Sequence, residues 1–171
     1  MKRVGEFYKV SFSQFEKDYN ALGCKKLQHA QLKALYDNIK LPCRATAGSA
    51  GYDIFLPFEI TLKAGEELWI PSGIRMKFRK DYGLFIMNKS GLGTKSRFQI
   101  NTCISLIDSD YYYSDNEGHL IFKVIHDSRD PQAVLTLPAG KSFLQAVLFP
   151  YGITKSDKAS GRRNGGFGST D

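Results

Sequence analysis

Apolar residues near the N-terminus recur with the period of a helix. Phe15, Tyr19 and Leu22 are spaced by four and three residues, so they share one helical face. Ser13 and Glu16 have the spacing of a capping box, in which each side chain bonds the other's free backbone amide. The pattern predicts a strand in the first ten residues, followed by one or two short helices.

The sequence pattern changes after Pro42, where short apolar segments are separated by turn residues at roughly 8–12-residue spacing. In "GIRMKF" (73–78) alternate residues are apolar, as in a half-buried strand. Many short strands favour an all-β sandwich, jelly roll or barrel. Strands and helices do not alternate, so a doubly wound nucleotide fold is not expected. The similar segments "LKAGEELWIP" and "LPAGKSFLQAVLFP" are interpreted as two hairpins.

Composition narrows the function classes. A chain of 171 residues with a net charge of +7 fits one domain with a basic surface. Such a surface could attract polyanions, but no run of five or six like charges appears, which favours a solvated surface over a nucleic-acid partner. The cysteines are odd in number and the histidines lack zinc spacing. No apolar run approaches ~20 residues and "MKRVGEFYKV" lacks a signal-peptide core, so we expect a cytoplasmic protein with no membrane partner.

A glycine-rich segment, "NKSGLGTKS" (88–96), is a candidate phosphate site. Its spacing does not match the P-loop, and no helix pattern follows it. Either it is a plain hairpin turn, or its amides and the Ser90 hydroxyl form an anion-binding nest with Lys89 and Lys95 beside it. The sequence alone does not distinguish between these two interpretations of the segment.

A second candidate is "SLIDSDYYYSDNEG" (105–118), where Asp108 follows the apolar pair Leu106–Ile107. A carboxylate at a buried strand end can act as a general base on water or hold Mg²⁺ through water. The segment does not fit the calcium-loop pattern. Its other acidic residues are expected to lie on a solvated hairpin; they are Asp110, Asp115 and Glu117.

Five segments between residues 41 and 171 resemble, in order, the five motifs of the trimeric dUTP diphosphatase (dUTPase) family. They are "AGSAGYDIFLP" (47–57), "NKSGLG" (88–93), "SLIDSDYYY" (105–113), "KSFLQAVLFP" (141–150) and "GRRNGGFGST" (161–170). The resemblance implies a homotrimer of jelly-roll-like, all-β subunits with sites shared between chains. It also implies Mg²⁺-assisted hydrolysis of dUTP to dUMP and pyrophosphate, which limits uracil in DNA and supplies dUMP for thymidylate synthesis.

The resemblance also implies roles for residues. Asp108 would activate the attacking water, Gln145 would position water or phosphate, and Asp53 would bind the metal through water. Tyr111 would pack under the deoxyribose and refuse ribonucleotides. The remaining substrate contacts would be Lys89, Ser90 and Gly91 on the phosphates and the backbone from Asn101 and Thr102 to Ile107 on uracil.

The last motif would close the site. Arg162 would reach the phosphates, Phe167 would stack on uracil, and Gly168, Ser169 and Thr170 would cover the terminal phosphate. The implied organisation is one domain over residues 1–160, with a helical insertion at about 12–40. Residues 161–171 would form a flexible arm, as their glycines suggest, over the active site of a neighbouring subunit.

Departures from the family pattern bear on the site. Lys89 stands where the second motif usually has arginine, and Ser142 where the fourth has arginine. Thr102 occupies a position near the base that is often asparagine. The turn "YYYSDNEG" is longer than the usual Tyr-Arg-Gly turn. The purpose of the helical insertion is not evident from the pattern, and packing on the trimer surface is favoured over a partner site.

The sequence leaves two alternative functions to consider. The related dCTP deaminases share the fold and carry a catalytic glutamate at a position that falls here on Lys123, which cannot serve as that acid–base group. A non-catalytic, regulatory nucleotide-binding trimer is the second alternative, and the changes at Lys89 and Ser142 leave room for it.

Overall fold

The computed structural model describes residues 2–161, in which short antiparallel strands dominate and three helices occur. The strands are β1 (Gly5–Lys9), β2 (Tyr52–Phe55), β3 (Ile60–Lys63), β4 (Glu67–Pro71), β5 (Ile74–Phe78), β6 (Tyr82–Asn88), β7 (Phe98–Ile100), β8 (Ile104–Ile107), β9 (Ile121–His126), β10 (Val134–Leu137) and β11 (Ser142–Pro150). The helices are α1 (Phe12–Ala21), α2 (His29–Asp37) and α3 (Ser90–Ser96), and a 3₁₀ turn spans Ser109–Tyr113.

The strands form four small sheets. One has the order β2-β11-β6-β8, one has the order β4-β9-β7, and two are the pairs β1-β5 and β3-β10. Between them lies an aromatic core in which the Phe143 ring sits 6.0 Å from Phe122 and 6.4 Å from Phe98. Alternation in "GIRMKF" follows the prediction, because Ile74, Met76 and Phe78 are buried on β5. The predicted all-β, jelly-roll-like class is confirmed.

The two predicted hairpins are wrong. The turn "KAGE" joins β3 to β4, but β3 pairs with β10 and β4 pairs with β9. Likewise β10 leads into β11, which pairs with β2 and β6. Each turn therefore carries the chain from one sheet to another. A crossing between packed sheets uses the same Gly-containing turn chemistry as a hairpin, so the local sequence does not distinguish them.

The predicted N-terminal helices are present, but α1 begins earlier than its pattern suggests. Ser11 is the N-cap, and its Oγ accepts the backbone N–H of Gln14 at 3.1 Å. Ser13 therefore lies within the first turn, and the predicted capping box of Ser13 with Glu16 is wrong. Glu16 instead bonds the Nδ1 of His29 on α2 at 2.7 Å.

The segment "SGLGTKS" forms α3 directly after β6, so the hairpin-turn reading is wrong. The reason is again a change of sheet, since β6 and β7 belong to different sheets. Asn88 links the end of β6 to β7, because its Oδ1 accepts the backbone N–H of Ile100 at 2.7 Å. The spacing of the segment still excludes a P-loop. A helix does follow a strand here, however, which the sequence pattern did not predict.

One face of the β2-β11-β6-β8 sheet leaves apolar side chains in solvent. On it, Ile104 is 54% exposed, Leu106 is 56% exposed and Phe149 is 49% exposed. Phe149 packs edge-on against Phe85 of the neighbouring strand, with ring centroids 5.5 Å apart. Leu106 was expected to be buried, and within a single chain it is not. We call Phe85, Ile104, Leu106 and Phe149 the apolar face.

None of the helices described within residues 2–161 is long and apolar enough to cross a membrane.

Candidate active site

Three predicted site residues meet at one end of the four-stranded sheet. Asp53 on β2 and Gln145 on β11 are register partners, and Lys89 directly follows β6. The Nζ of Lys89 donates to Asp53 Oδ1 at 2.6 Å, and the Nε2 of Gln145 approaches the same oxygen at 3.4 Å. Asp53, Lys89 and Gln145 are referred to below as the Asp53 cluster.

The first motif shapes this cluster through its backbone. A Cβ atom at Gly51 would lie 3.3 Å from Oε1 of Gln145, a tight contact that glycine avoids. Asp53 is held in place by an isolated bridge to Cys43, in which its own N–H donates to Cys43 O at 2.8 Å. The side chain of Asp53 is only 14% exposed, so its charge is compensated mainly by Lys89.

Ser90 and Gly91 lie beside Lys89, where they form the exposed start of α3. The first amides of a helix have no intrahelical acceptor, and together with a hydroxyl they suit an anionic oxygen. Lys89 is the N-cap residue of α3. The structure therefore brings Asp53, Lys89, Ser90, Gly91 and Gln145 to one end of the sheet, as the resemblance implies.

Asp108 belongs to a different part of the sheet. It follows β8, an edge strand of the sheet, and precedes the 3₁₀ turn as its N-cap residue. An edge strand has backbone N–H and C=O groups free of ladder bonds on one side, which is the property required to read a base. Tyr111 lies in the 3₁₀ turn and is 6% exposed, and its hydroxyl donates to His119 O at 2.8 Å.

The strand registers separate Asp108 from the Asp53 cluster. Gln145 pairs with Met87 of β6, and Met87 pairs with Ile104 at the start of β8. Asp108 lies one residue beyond Ile107, which pairs with Leu84, so the two rows are four residue steps apart along β6. At about 3.3 Å per residue, the two rows are about 13 Å apart along the strands. One chain therefore does not place Asp108 beside Gln145.

The residues next to β8 have partners of their own. Asn101 Nδ2 donates to Glu67 Oε1 at 2.7 Å, and the hydroxyls of Thr102 and Ser105 are 2.8 Å apart. Lys123 forms an ion pair with Glu67. Hydrogen bonding from Lys123 is the main reason why the pKa of Glu67 lies below its ordinary value. Lys123 thus has a structural partner, which adds to the case against the deaminase alternative.

Sequence reasoning missed two polar residues of the extended turn. Glu117 was expected to be solvated, but its carboxylate accepts the N–H of Ser11 at 2.8 Å and the Ser11 hydroxyl at 2.6 Å. His119 was not singled out and is completely buried. No periodicity marks either residue. The unusual length of the turn beside them was the one feature of the sequence that could have drawn attention to these residues.

The side chains around Asp53 could bind a divalent cation only with the help of further ligands. Within residues 2–161 there is no group of three or more His, Cys, Asp or Glu side chains that could hold a metal ion. Asp53 is a single carboxylate with Gln145 beside it, and Mg²⁺ commonly binds through one or two carboxylates, waters and substrate phosphates. The residues thus fit an ion carried chiefly by a phosphorylated ligand.

The predicted contacts at Arg162, Phe167, Gly168, Ser169 and Thr170 lie outside the described residues.

The chain is similar to known proteins over most of its length. A model of the dUTPase family matches residues 37–171. The deoxyuridine 5'-triphosphate nucleotidohydrolase of Lactococcus lactis subsp. lactis is 31% identical over 150 residues, covering 85% of this chain and 98% of the relative. The enzyme of the same name from Haemophilus ducreyi is 32% identical over 154 residues, covering 83% and 96%.

Solved structures show the same fold. The dUTPase from Streptococcus mutans superimposes with a TM-score of 0.61 and 27% identity, covering 68% of this chain and 89% of that one. A mutant dUTPase of phage phi11 of S. aureus, for which a structural Mg(II) ion is described, gives a TM-score of 0.60 at 18% identity, covering 73% and 92%. With all five sequence motifs inside the matched region, this chain belongs to the dUTPase family.

Proposed function

We propose that this protein hydrolyses dUTP to dUMP and pyrophosphate. The observation that carries the proposal is the family match over residues 37–171, which includes both the Asp53 cluster and Asp108. By removing dUTP, the reaction limits uracil in DNA and supplies dUMP. Because dUTP is an intracellular nucleotide, we place the activity in the cytoplasm.

The active unit is a homotrimer whose sites are shared between chains. Two features support this proposal. The Asp108 and Gln145 rows are about 13 Å apart along the strands of one chain, so both residues serve one reacting centre only if different copies supply them. The apolar face also exposes Ile104, Leu106 and Phe149, and such a surface is typical of a subunit interface.

The chemistry requires little covalent participation by the protein. Asp108 accepts a proton from water as the water attacks the α-phosphorus in line, and Gln145 orients the phosphate or the water. The Ser90 hydroxyl and the first amides of α3 hold phosphate oxygens. Asp53, with Gln145 beside it, would hold Mg²⁺ through water; when bound, the ion would neutralise charge on the triphosphate.

Substrate choice rests on the edge of β8 and on the arm. Backbone groups between Asn101 and Ile107 bond the uracil edge, and Tyr111 forms the wall against which a 2′-hydroxyl would clash. Arg162 and Phe167 of the arm cover phosphate and base. Lys89 can turn from Asp53 to a phosphate, but as an ammonium it lacks the two-pronged geometry of arginine.

The assay that tests the function is release of pyrophosphate from dUTP by the full-length protein. Turnover should be much faster with dUTP than with dTTP, dCTP or UTP, and should depend on Mg²⁺. Release of ammonia from dCTP would instead support the deaminase alternative. Binding of dUTP without any turnover would support the regulatory alternative and overturn the proposal.

Deletion of residues 161–171 should slow dUTP hydrolysis without unfolding the protein. Loss of base stacking by Phe167 alone should cost about 2 kcal/mol, or roughly thirtyfold in kcat/KM. Circular dichroism and size-exclusion chromatography should match those of the full chain. A truncated protein with full kcat/KM would show that the arm has no role in catalysis.

A further inference from the structure

The helical insertion packs against the unusually long turn after Tyr111, so the two departures from the family pattern lie in one place. Four hydrogen-bonding residues connect them: Ser11 at the N-cap of α1, Asp18 within α1, Glu117 in the turn and His119 directly after the turn. We call these four residues the insertion clamp.

The first half of the clamp joins Glu117 to the start of α1. Both carboxylate oxygens of Glu117 accept hydrogen bonds from Ser11, and Arg75 Nη1 lies 3.6 Å from Oε2. Burial raises the pKa of Glu117, but the Ser11 hydrogen bonds and the Arg75 charge outweigh it and hold the pKa below its ordinary value. An ionised carboxylate at a helix N-terminus is favoured by the helix dipole.

The second half of the clamp joins His119 to the middle of α1. The Nε2 of His119 accepts the N–H of Gly73 at 2.7 Å, so the proton of a neutral ring is on Nδ1. That Nδ1 lies 2.5 Å from Asp18 Oδ2, which also accepts from Gln14 Nε2 at 2.8 Å. Burial raises the pKa of Asp18, but the hydrogen bonds from His119 and Gln14 outweigh it and hold the pKa below its ordinary value.

The clamp reaches the substrate side through backbone and tyrosine contacts. The Tyr111 hydroxyl donates to the carbonyl of His119 and accepts from Asn116 Nδ2, each at 2.8 Å. Gly118 sits between them at φ +68°, and a Cβ there would lie 2.7 Å from Tyr111 O. The position of Tyr111 is therefore coupled to His119 by direct contact, and that of His119 to α1.

Arg75 completes the coupling beside Tyr111. Its Nη2 donates to the carbonyl of Tyr112 at 2.7 Å, and its guanidinium carbon lies 3.7 Å from the centroid of the Tyr112 ring. The same guanidinium faces Glu117. Arg75 therefore links Glu117 to the residue next to Tyr111.

We propose that the helical insertion is a specificity-determining element, in which Asp18 and Glu117 act as positioning residues that hold Tyr111 against the sugar of the substrate. The proposal rests on the proposed function, since it takes Tyr111 as the wall that excludes a 2′-hydroxyl. It goes beyond that function by assigning a role to the insertion and to residues outside the five motifs.

The test compares dUTP with UTP in the intact enzyme. In Asp18→Ala, which removes the acceptor for His119, the ratio of kcat/KM for dUTP to that for UTP should fall about tenfold. Asp18→Asn keeps an acceptor and should restore the ratio to within about twofold of the wild type. Asp37→Ala is the matched control, because Asp37 lies in the same insertion but its carboxylate pairs with Lys33.

The ratio separates positioning from simple stability. A smaller folded fraction lowers both rates by the same factor and leaves the ratio unchanged, so equal losses for dUTP and UTP would overturn the proposal. Glu117→Gln supplies a second variant should Asp18→Ala not fold, and an unchanged ratio there would have the same meaning. Failure of the wild type to hydrolyse dUTP would overturn the proposed function itself and this inference with it.

Discussion

Replacement of Asp108 by asparagine should lower kcat for dUTP by about a thousandfold, within the range expected for loss of a general base. Asparagine has the same shape as aspartate and nearly the same volume, so the fold should persist. Its amide has no basic lone pair to accept the proton of the attacking water. Affinity for a non-hydrolysable dUTP analogue should stay near that of the wild type.

Steady-state pyrophosphate release measures this effect, and isothermal titration with the analogue measures binding. Asp110→Asn is the matched control, since it makes the same change two residues away on the same turn. Activity near the wild-type level in Asp108→Asn would show that another group accepts the proton. Equal losses in the two variants would indicate a general effect of charge on the turn.

Introduction of a charge into the apolar face should dissociate the oligomer and abolish activity. In the single chain Leu106 is 56% exposed, so Leu106→Asp should leave the monomer folded. At a subunit interface, however, it would bury an unpaired carboxylate, which is strongly unfavourable. Because one chain does not place Asp108 beside Gln145, the monomer should be slower by about a thousandfold or more, as expected when oriented groups are separated.

Analytical ultracentrifugation gives the oligomeric state, and the pyrophosphate assay gives the activity of the same sample. Val134→Asp is the matched control, because Val134 is 59% exposed on β10, away from the apolar face. A Leu106→Asp protein that remains a trimer would exclude this face from the interface. A fully active monomer would overturn the shared site.

Much of the fold could be predicted from local pattern, and part of the site from the resemblance to the dUTPase family. Alternation on β5 identified its buried side, and the motif residues Asp53, Lys89 and Gln145 do meet in space. The resemblance supplied this second result, because pairing between β2 and β11 joins residues far apart in sequence. Pattern alone could not have chosen these partners.

The incorrect predictions have one physical cause. Where the local sequence is compatible with two structures, contacts between residues far apart in the chain determine which one forms. Both Ser11 and Ser13 can cap α1, and Glu117, 106 residues away from Ser11, binds Ser11. The turn from β3 to β4 has the composition of a hairpin, yet each strand finds its partner elsewhere. Leu106 is as apolar as a core residue, and a single chain leaves it uncovered.

The insertion clamp has a consequence for the order in which the protein folds. Helices α1 and α2 depend on local contacts and can form quickly, whereas the contacts of Ser11 with Glu117 and of Asp18 with His119 span 106 and 101 residues. Closing so long a loop slows the formation of such contacts. During synthesis, α1 leaves the ribosome well before its partner turn exists, with Phe15 and Tyr19 still uncovered. The contacts between this turn and α1 are therefore expected to be among the last to form.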